Sequence, residues 1–343
     1  MQSTIVELSV KGKNVRVPSL EVDGKRIILS GRWIKMATIQ DEAWLEGNRV
    51  DDPAALIAKL TRQKPKADIF AFSQRLPETA AKYPYPFEWD NLAVIPITTF
   101  EDWWEKRLSQ ETRRNVRKAA KQGVVVKSVE LTDELLHGIH GVYNSTVVRQ
   151  GIPNVHFGKT FETIKQEAST FPGQSEFIGA YLGSELIGFI KLVYVGKTAG
   201  ILHIVSKIQH HDKRPTNALV AKAVEICAKK GMSHLLYLKY QYGNKTGSPL
   251  TEFKRRNGFE KVLIPRYFVP LSLKGRIIVK LRLHRGLLEI LPPRVISMLL
   301  SARARYFRVL FACKHWLRPA TALESGGKNQ DQALKGAVPE ASE

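Results

Sequence analysis

The sequence EFIGAYLGSELIGFIKLVYV, residues 176–195, carries the strongest indication of the fold. Two runs rich in apolar and aromatic residues are separated by Gly183-Ser184, a two-residue turn typical of a β-hairpin. Residues 187–195 are almost all apolar, which predicts a central strand covered on both faces of its sheet. A third strand is predicted for residues 200–207, so the block begins with three antiparallel strands.

The chain after this block alternates between helix and strand patterns. Residues 215–230 predict an amphipathic helix that Gly231 ends, and residues 234–240 predict a strand. A short helix over residues 250–257 and a last strand or strand pair over residues 261–271 complete the series. This order of three strands, helix, strand, helix and strand predicts the α+β class, with a mixed, largely antiparallel central sheet flanked by helices.

A basic helix precedes the strands, in the sequence TRRNVRKAAKQGV at residues 112–124. Ser109 stands at its N-cap position and Gly123 at its C-terminal stop. At 3.6 residues per turn its cations share one face: Arg114, Arg117, Lys118 and Lys121. The stripe predicts contact with a phosphate-bearing donor or acceptor. The alternative is a helix face that is only solvated, which would show the same pattern.

The net charge indicates the class of partner. The 343 residues carry a formal net charge of +21, with a sequence pI near 9.9. Such charge favours nucleic acid, an acidic membrane surface or phosphorylated small molecules as partners. Two distant cysteines exclude a disulfide framework, and no run reaches the roughly 18 apolar residues of a spanning helix. Since the N-terminus lacks a signal-peptide pattern, we expect a cytoplasmic protein, and its charge is compatible with peripheral association at the inner face of the membrane.

Composition divides the chain into four segments. Residues 1–98 mix α and β signals, and residues 99–272 hold the basic helix and the strand block. Residues 273–318 form a basic amphipathic extension, and residues 319–343 have the composition of a disordered tail. The extension, over residues 274–318, predicts binding to an anionic membrane surface. The alternative is that it packs on the protein body and binds RNA phosphates with the same charge.

Three passages resemble the GNAT acyltransferase superfamily, and more closely its FemAB-like branch. They are TRRNVRKAAKQGV at 112–124, RQGIP at 149–153 and LTEFKRRNGF at 250–259, in an element order that spans roughly half of the chain. FemAB-like proteins contain two GNAT-like halves, so the resemblance implies a tandem pair in which residues 1–98 are a degenerate or shortened first half. It also implies transfer of an acyl group from a thioester or ester donor to an amine.

The resemblance implies an acyl-CoA donor, acetyl-CoA first, bound where the helix after the third strand begins. Most acetyl-CoA-binding members have a glycine-rich turn there, whose N–H groups grip the pyrophosphate. This chain has QHHDKRPTNAL at 209–219, without glycine. The predicted cofactor-binding residues are therefore Lys213, Arg214, Thr216 and Asn217, with side-chain charge in place of bare backbone.

Acyl transfer to an amine needs a base or water path, an oxyanion donor and an acid for the leaving group. Lys254 fills the lysine of the phenylalanine-lysine motif in the resemblance, which implies the oxyanion or phosphate role; a surface cation beside two arginines is the alternative. His203, inside an apolar strand, is the candidate base, and a core histidine is the alternative. Tyr240 is the candidate acid, although aromatic residues on strands are often core residues.

Four residues are predicted to bind the substrate. Arg114 and Arg117 belong to the basic helix, and Arg149 and Gln150 belong to the RQGIP turn. No metal is predicted, because the pair His210-His211 lacks a nearby third ligand.

These observations predict an N-acyltransferase that moves an acyl group, acetyl first, from CoA to an amine acceptor such as an amino sugar or an envelope precursor. Two alternatives stay open. The chain can be an aminoacyltransferase that uses charged tRNA, which the net charge favours, or a non-catalytic GNAT-like module that binds nucleic acid or membrane.

Overall fold

A computed structural model describes residues 4–10, 13–41, 50–149, 152–242 and 248–285, with isolated positions between 292 and 305. The strands are β1 (Thr4–Val10), β2 (Lys13–Val22), β3 (Lys25–Ser30), β4 (Met36–Ile39), β5 (Ile69–Ser73), β6 (Phe87–Pro96), β7 (Val124–Val129), β8 (Val148–Arg149), β9 (Ile152–Pro153), β10 (Ser175–Leu182), β11 (Glu185–Val195), β12 (Thr198–Ser206), β13 (His234–Lys239) and β14 (Glu260–Pro270). The helices are α1 (Pro53–Arg62), α2 (Phe100–Asp102), α3 (Gln110–Lys121), α4 (Asp133–Tyr143), α5 (Phe161–Ala168), α6 (Pro215–Lys229), α7 (Pro249–Arg256) and α8 (Leu273–Lys280). A π-helical turn, Trp103–Arg107, follows α2, and a 3-10 helix, Ile208–Lys213, precedes α6.

Twelve of these strands form one sheet in the order β1-β2-β3-β4-β5-β14-β6-β13-β12-β11-β10-β7. Among the described strands, β4 with β5 and β12 with β13 pair in parallel, and the other neighbours in this sheet pair antiparallel. The predicted α+β fold, with a mixed and largely antiparallel sheet flanked by helices, is therefore confirmed.

The hairpin predicted from residues 176–195 is formed by β10 and β11. Leu182 pairs with Glu185 across the Gly183-Ser184 turn. Eight successive residues of β11 are buried, which confirms a central strand covered on both faces. The elements that follow, β12, α6, β13, α7 and β14, have the predicted order.

The basic helix, α3, begins and ends where the sequence predicts. Ser109 Oγ accepts a hydrogen bond from the N–H of Thr112 at 3.2 Å, which is an N-cap. Gly123 follows the last turn with φ 79°, in the left-handed region that glycine adopts at little cost. The chain then enters β7 at once.

The pattern after Thr132 predicts a helix to about residue 150, and this boundary is wrong. Helix α4 ends at Tyr143. The side-chain amide of Asn154 donates to the carbonyls of Tyr143 and Thr146, each at 2.9 Å, and so holds the chain in a turn instead of a further helical turn. The partner of this turn lies eleven residues away, beyond the reach of a periodic pattern.

The proline-rich residues 82–91 predict a loop, which is correct only for their first part. Strand β6 begins at Phe87, four residues earlier than the predicted end of the loop. It lies between β13 and β14, and both neighbours supply partners for its backbone groups.

The two faces of the sheet around β10–β13 are covered by different helices. On one face, called the α6 face, α3, α6 and α7 pack on residues that include Ile190, Leu192, Ile201, Leu235 and Phe259. On the other, called the α4 face, α4 and α5 pack on residues that include Phe177, Phe189 and Val205. Successive residues of a strand point to opposite faces, so Lys191 lies on the α4 face between two residues of the α6 face.

The sheet runs through the predicted boundary at residue 98. β6 lies between β13 and β14, and β5 pairs with β14, where Phe72 is opposite Tyr267. The strands of residues 1–98 also enclose a second core with α1, to which Tyr267 and Val269 of β14 contribute. The division into 1–98 and 99–272 stays a prediction. Of the extension 273–318, α8 is the part described in full, and 319–343 lie outside the described residues.

No helix within the described part of the chain is both long enough and apolar enough to cross a bilayer.

Candidate active site

Strands β12 and β13 separate at one end and leave an opening in the sheet, called the wedge. Their parallel pairing covers three positions and stops at Gly200 opposite Leu236. Beyond that point β13 is irregular, because Leu238 has φ 48° and the register with β6 shifts there. The wedge therefore lies at the carboxyl ends of two parallel strands, where α/β sheets often bind ligands.

Helix α6 begins beside the wedge, and its first turn is bonded to the protein. Thr216 Oγ1 lies 2.9 Å from Ser206 Oγ at the end of β12. Asn217 Nδ2 donates to Asn257 Oδ1, just after α7, at 3.1 Å. These two predicted cofactor-binding residues thus join β12, α6 and the end of α7.

The other two predicted cofactor-binding residues precede this turn. Lys213 Nζ lies 3.1 Å from the carboxylate of Asp212, and Arg214 has φ 58° at the N-cap of α6. Pro215 has no N–H, and the N–H groups of Asn217 and Ala218 both donate to the carbonyl of Arg214. Fewer free N–H groups face an anion here than in a glycine-rich turn.

Lys254 is buried against the end of β13 that borders the wedge. None of its surface is exposed, and Nζ donates to the carbonyl of Lys239 at 2.5 Å. The ammonium also lies 4.4 Å from the ring centroid of Tyr237 and 5.2 Å from that of Tyr242. Burial lowers its pKa to about 8.

The surroundings of Lys254 distinguish it from its two neighbours in the motif. Arg255 is exposed and Arg256 is half-buried, and both pair with Glu252. Among the described residues, the Lys239 carbonyl is the hydrogen-bond acceptor of the Lys254 ammonium, which has three N–H groups. A buried ammonium with N–H groups to spare, at the edge of an opening, can stabilise an oxyanion.

His203 does not share a site with Lys254. Its side chain lies on the α4 face, where Nδ1 is 3.5 Å from Tyr143 Oη and the ring of His156 is 6.2 Å away. Burial, with the positive charges around it, lowers the pKa of His203 to about 3. The sequence grouped His203 with Lys254, and a β-bulge separates them: Lys191 pairs with His203 but Leu192 pairs with Ile201, so the extra residue Leu202 shifts the alternation and turns His203 to the α4 face.

Tyr240 lies next to the wedge, directly after β13. Its N–H donates to the carbonyl of Asn91 at 3.3 Å, and its own carbonyl accepts from Thr251 Oγ1 at 3.5 Å. Burial raises the pKa of the Tyr240 phenol. Tyr237 and Tyr242 are the two tyrosines whose rings contact the Lys254 ammonium.

Arg149 contacts the end of β12, close to Ser206 and Thr216. Its Nη2 donates to the carbonyl of Ser206 at 2.9 Å, and Ser206 in turn meets Thr216. Its Nη1 is buried without a hydrogen-bond partner in the described part of the chain, and burial lowers the pKa of the guanidinium. Gln150 lies outside the described residues.

The basic stripe of α3 borders this region. Arg114 and Arg117 are exposed, and the guanidinium carbon of Arg117 lies 5.8 Å from the ring centroid of Trp104. α3 packs against α6 and also contacts the 3-10 helix that leads into it. The two predicted substrate-binding arginines therefore offer charge to solvent near the start of α6.

An exposed apolar strip on the α6 face extends from the wedge, and sequence reasoning missed it. Trp89 and Phe87 of β6 and Leu263 of β14 are all exposed. Trp89 pairs with Pro265, and Leu263 pairs with Asn91, whose carbonyl accepts from Tyr240. The alternation of apolar and polar residues in FEWDNLAV, residues 87–94, is typical of a strand, but the prolines before it favoured a loop.

No group of three or more potential metal ligands occurs among the residues that the structure describes.

The chain was compared with family models, curated proteins and solved structures, and only the solved structures gave matches. No family model and no curated protein matches the sequence. Among solved structures, FemX aligns with a TM-score of 0.52 at 11% identity, over 81% of this chain and 89% of that one. L-PGS from Bacillus licheniformis aligns with a TM-score of 0.50 at 14% identity, over 77% and 88%. The C-terminal domain of a putative lysylphosphatidylglycerol synthetase from Agrobacterium fabrum aligns with a TM-score of 0.52 at 13% identity, over 76% of this chain and 86% of that one.

The chain therefore has the GNAT fold in its FemAB-like form, as the three sequence passages imply. At these identities the likeness establishes the fold alone. The chemistry has to be argued from the residues at the wedge.

Proposed function

We propose that this protein is a transferase that moves an activated acyl or aminoacyl group to an amine acceptor at the wedge. The observation that carries the proposal is the buried Lys254 ammonium, held at the edge of the wedge with N–H groups to spare. The fold supports it, because the similar solved structures include FemX and L-PGS.

The reaction follows from where charge develops. The acceptor nitrogen attacks the carbonyl carbon of the donor, and the carbonyl oxygen becomes an oxyanion that Lys254 stabilises. The carbon–sulfur or carbon–oxygen bond to the donor then breaks, and the acceptor nitrogen releases its proton to the leaving group or to water. The tyrosines around Lys254 exclude water and keep the ammonium in place.

The geometry favours a tRNA-linked ester over acyl-CoA as the donor. The side chains of Thr216 and Asn217 are already bonded within the protein, and the turn before α6 offers few free N–H groups for a pyrophosphate. The exposed stripe on α3 and the net charge of +21 suit a polyanion that extends beyond a small site. Acyl-CoA is the second candidate, supported by Arg149 and Lys213 near the same turn.

The test supplies both donors to the full chain. Thiol release from acetyl-CoA and loss of ester-linked amino acid from charged tRNA are followed with a panel of amines. We expect amine-dependent loss of amino acid from tRNA that exceeds hydrolysis without protein. Thiol release alone would reassign the donor to acyl-CoA. No transfer from either donor, at low and at moderate salt, would refute the proposed function.

Removing two charges from α3 is expected to weaken tRNA use selectively. Arg114→Gln combined with Arg117→Gln should raise the KM for charged tRNA about tenfold at about 0.1 M salt, because fewer phosphates are neutralised. Arg62→Gln with Lys66→Gln removes the same charge from exposed positions in and just after α1, and serves as the control. Equal effects from both pairs would mean that net charge, and not the α3 stripe, governs binding.

The rate should fall at alkaline pH. Lys254 stabilises the oxyanion only while it is protonated, and its pKa is lowered to about 8. The contribution is therefore present below about pH 8 and is lost as the pH rises through that value. Single-turnover rates, corrected for hydrolysis without protein, should fall there although the amine acceptor becomes a better nucleophile. A rate that keeps rising to about pH 10 would contradict this role.

A further inference from the structure

Helix α8 presents an apolar ridge to solvent. Leu273, Ile277 and Leu281 follow one another at intervals of four residues, so they share one face of the helix and its C-cap. They are 76%, 59% and 61% exposed. No described residue covers this ridge, which is unusual for three large aliphatic side chains in a row.

The opposite side of α8 is fixed to the sheet, so the helix cannot turn its ridge inward. Ser272 Oγ caps the helix at the N–H of Gly275, 3.0 Å away, and also donates to the carboxylate of Asp68 at 3.0 Å. A Cβ on Gly275 would lie 1.9 Å from the backbone oxygen of Asp68, so the approach is as close as glycine permits. Ile278 is buried on the same side.

Cations flank the ridge on both sides. At about 100° per residue, Lys274 lies on one side of the ridge, and Arg276 and Lys280 lie on the other. Lys274 is 3.4 Å from Asp68, whereas Arg276 and Lys280 form no ion pair within the described residues and are exposed. Residues 269–285 contain no aspartate or glutamate.

An exposed tryptophan stands beside the ridge. Trp33 is 82% exposed, and its carbonyl accepts a hydrogen bond from Lys274 Nζ. Its neighbours in the chain, Arg32 and Lys35, are exposed cations. Protein surfaces that bind at the boundary between lipid headgroups and acyl chains typically combine tryptophan and aliphatic side chains with surrounding cations.

We propose that this surface, formed by Trp33, Leu273, Ile277 and Leu281 with Arg276 and Lys280 at its edge, docks the protein on an anionic lipid bilayer. Cations alone would suit RNA as well, but an aliphatic ridge gains nothing from phosphates and gains from leaving water for lipid. The flanking positive charge complements anionic headgroups. The inference does not depend on the proposed transfer reaction, because its readout is binding.

The experiment measures sedimentation of the full chain with vesicles. Phosphatidylcholine vesicles are compared with vesicles that contain about 30% phosphatidylglycerol, at about 0.15 M salt. Ile277→Glu with Leu281→Glu should lower the partition coefficient on the anionic vesicles at least about tenfold. Val125→Glu, at a 58% exposed position on β7, should leave it within about twofold of the unmodified chain. Arg276→Gln with Lys280→Gln should weaken binding less and reduce its dependence on salt.

Three results would overturn the proposal. Ridge variants that bind anionic vesicles as well as the unmodified chain would show that the ridge does not enter lipid. A lowered thermal midpoint with unchanged vesicle binding would mean that another part of the chain covers the ridge. Binding to an RNA oligonucleotide but not to vesicles would identify a nucleic-acid surface instead.

Discussion

Replacement of Lys254 with methionine is expected to lower the single-turnover rate of acyl transfer by about 10²–10³-fold, the usual effect of removing one oxyanion donor. Methionine keeps most of the volume of the lysine stem and removes the ammonium that lies between the rings of Tyr237 and Tyr242. The loss should appear in the rate of the chemical step, with donor affinity within about threefold of the unmodified chain. Rapid-quench measurements at saturating donor give this rate directly.

A matched control exists within the same chain. Lys191 is as fully buried as Lys254, and burial lowers its pKa to about 8 as well, but it lies on the α4 face. Lys191→Met should therefore leave the rate per folded molecule within about twofold. If Lys254→Met retained the full rate, or if both variants lost it equally, the oxyanion role of Lys254 would be refuted.

Lys191→Met is expected instead to destabilise the fold by about 3 kcal/mol. Lys191 Nζ donates to the carbonyls of Glu167, Ala168 and Thr170 and to Thr170 Oγ1, at 2.7–3.1 Å, and so satisfies the C-terminal end of α5. The Glu167 carbonyl keeps the Thr170 hydroxyl as a donor. Each acceptor that is left unpaired costs about 1–3 kcal/mol. Removal of a buried charge offsets part of this cost.

The midpoint of urea unfolding, read by circular dichroism, tests this expectation. The slope with denaturant should stay unchanged, because the surface exposed on unfolding is the same. Lys254→Met, which removes one hydrogen bond in place of four, should cost less stability than Lys191→Met. A Lys191→Met chain as stable as the unmodified protein would show that the desolvation of the ammonium outweighs its hydrogen bonds.

Short-range patterns in the sequence account for most of the predicted elements. The Gly183-Ser184 turn, the Ser109 N-cap and the Gly123 stop each depend on a few neighbouring residues, and each is where it was expected. The phenylalanine-lysine motif likewise pointed to Lys254, although nothing in its letters showed that Lys254 is buried while Arg255 is exposed and Arg256 is half-buried.

The candidate site was only partly predictable, for the same reason. The sequence predicts Thr216 for the cofactor and Arg149 for the substrate, and the structure brings the two residues together through Ser206. The apolar strand predicts His203 as a candidate base, but the bulge in β12, which the strand pairing sets, turns its side chain away from Lys254 and toward α4.

The sequence predicted the order of helices and strands from β10 to β14, the turn between β10 and β11, the N-cap and stop of α3 and the basic character of that helix, because these depend on residues a few positions apart. Three features came from packing in the folded chain: β6 lies between β13 and β14, His203 and Lys254 lie on opposite faces, and α8 turns an apolar ridge to solvent. Each of these depends on contacts between residues tens to hundreds of positions apart, such as that of Ser272 with Asp68. Burial and pairing over such distances are properties of packing, and no local pattern encodes them.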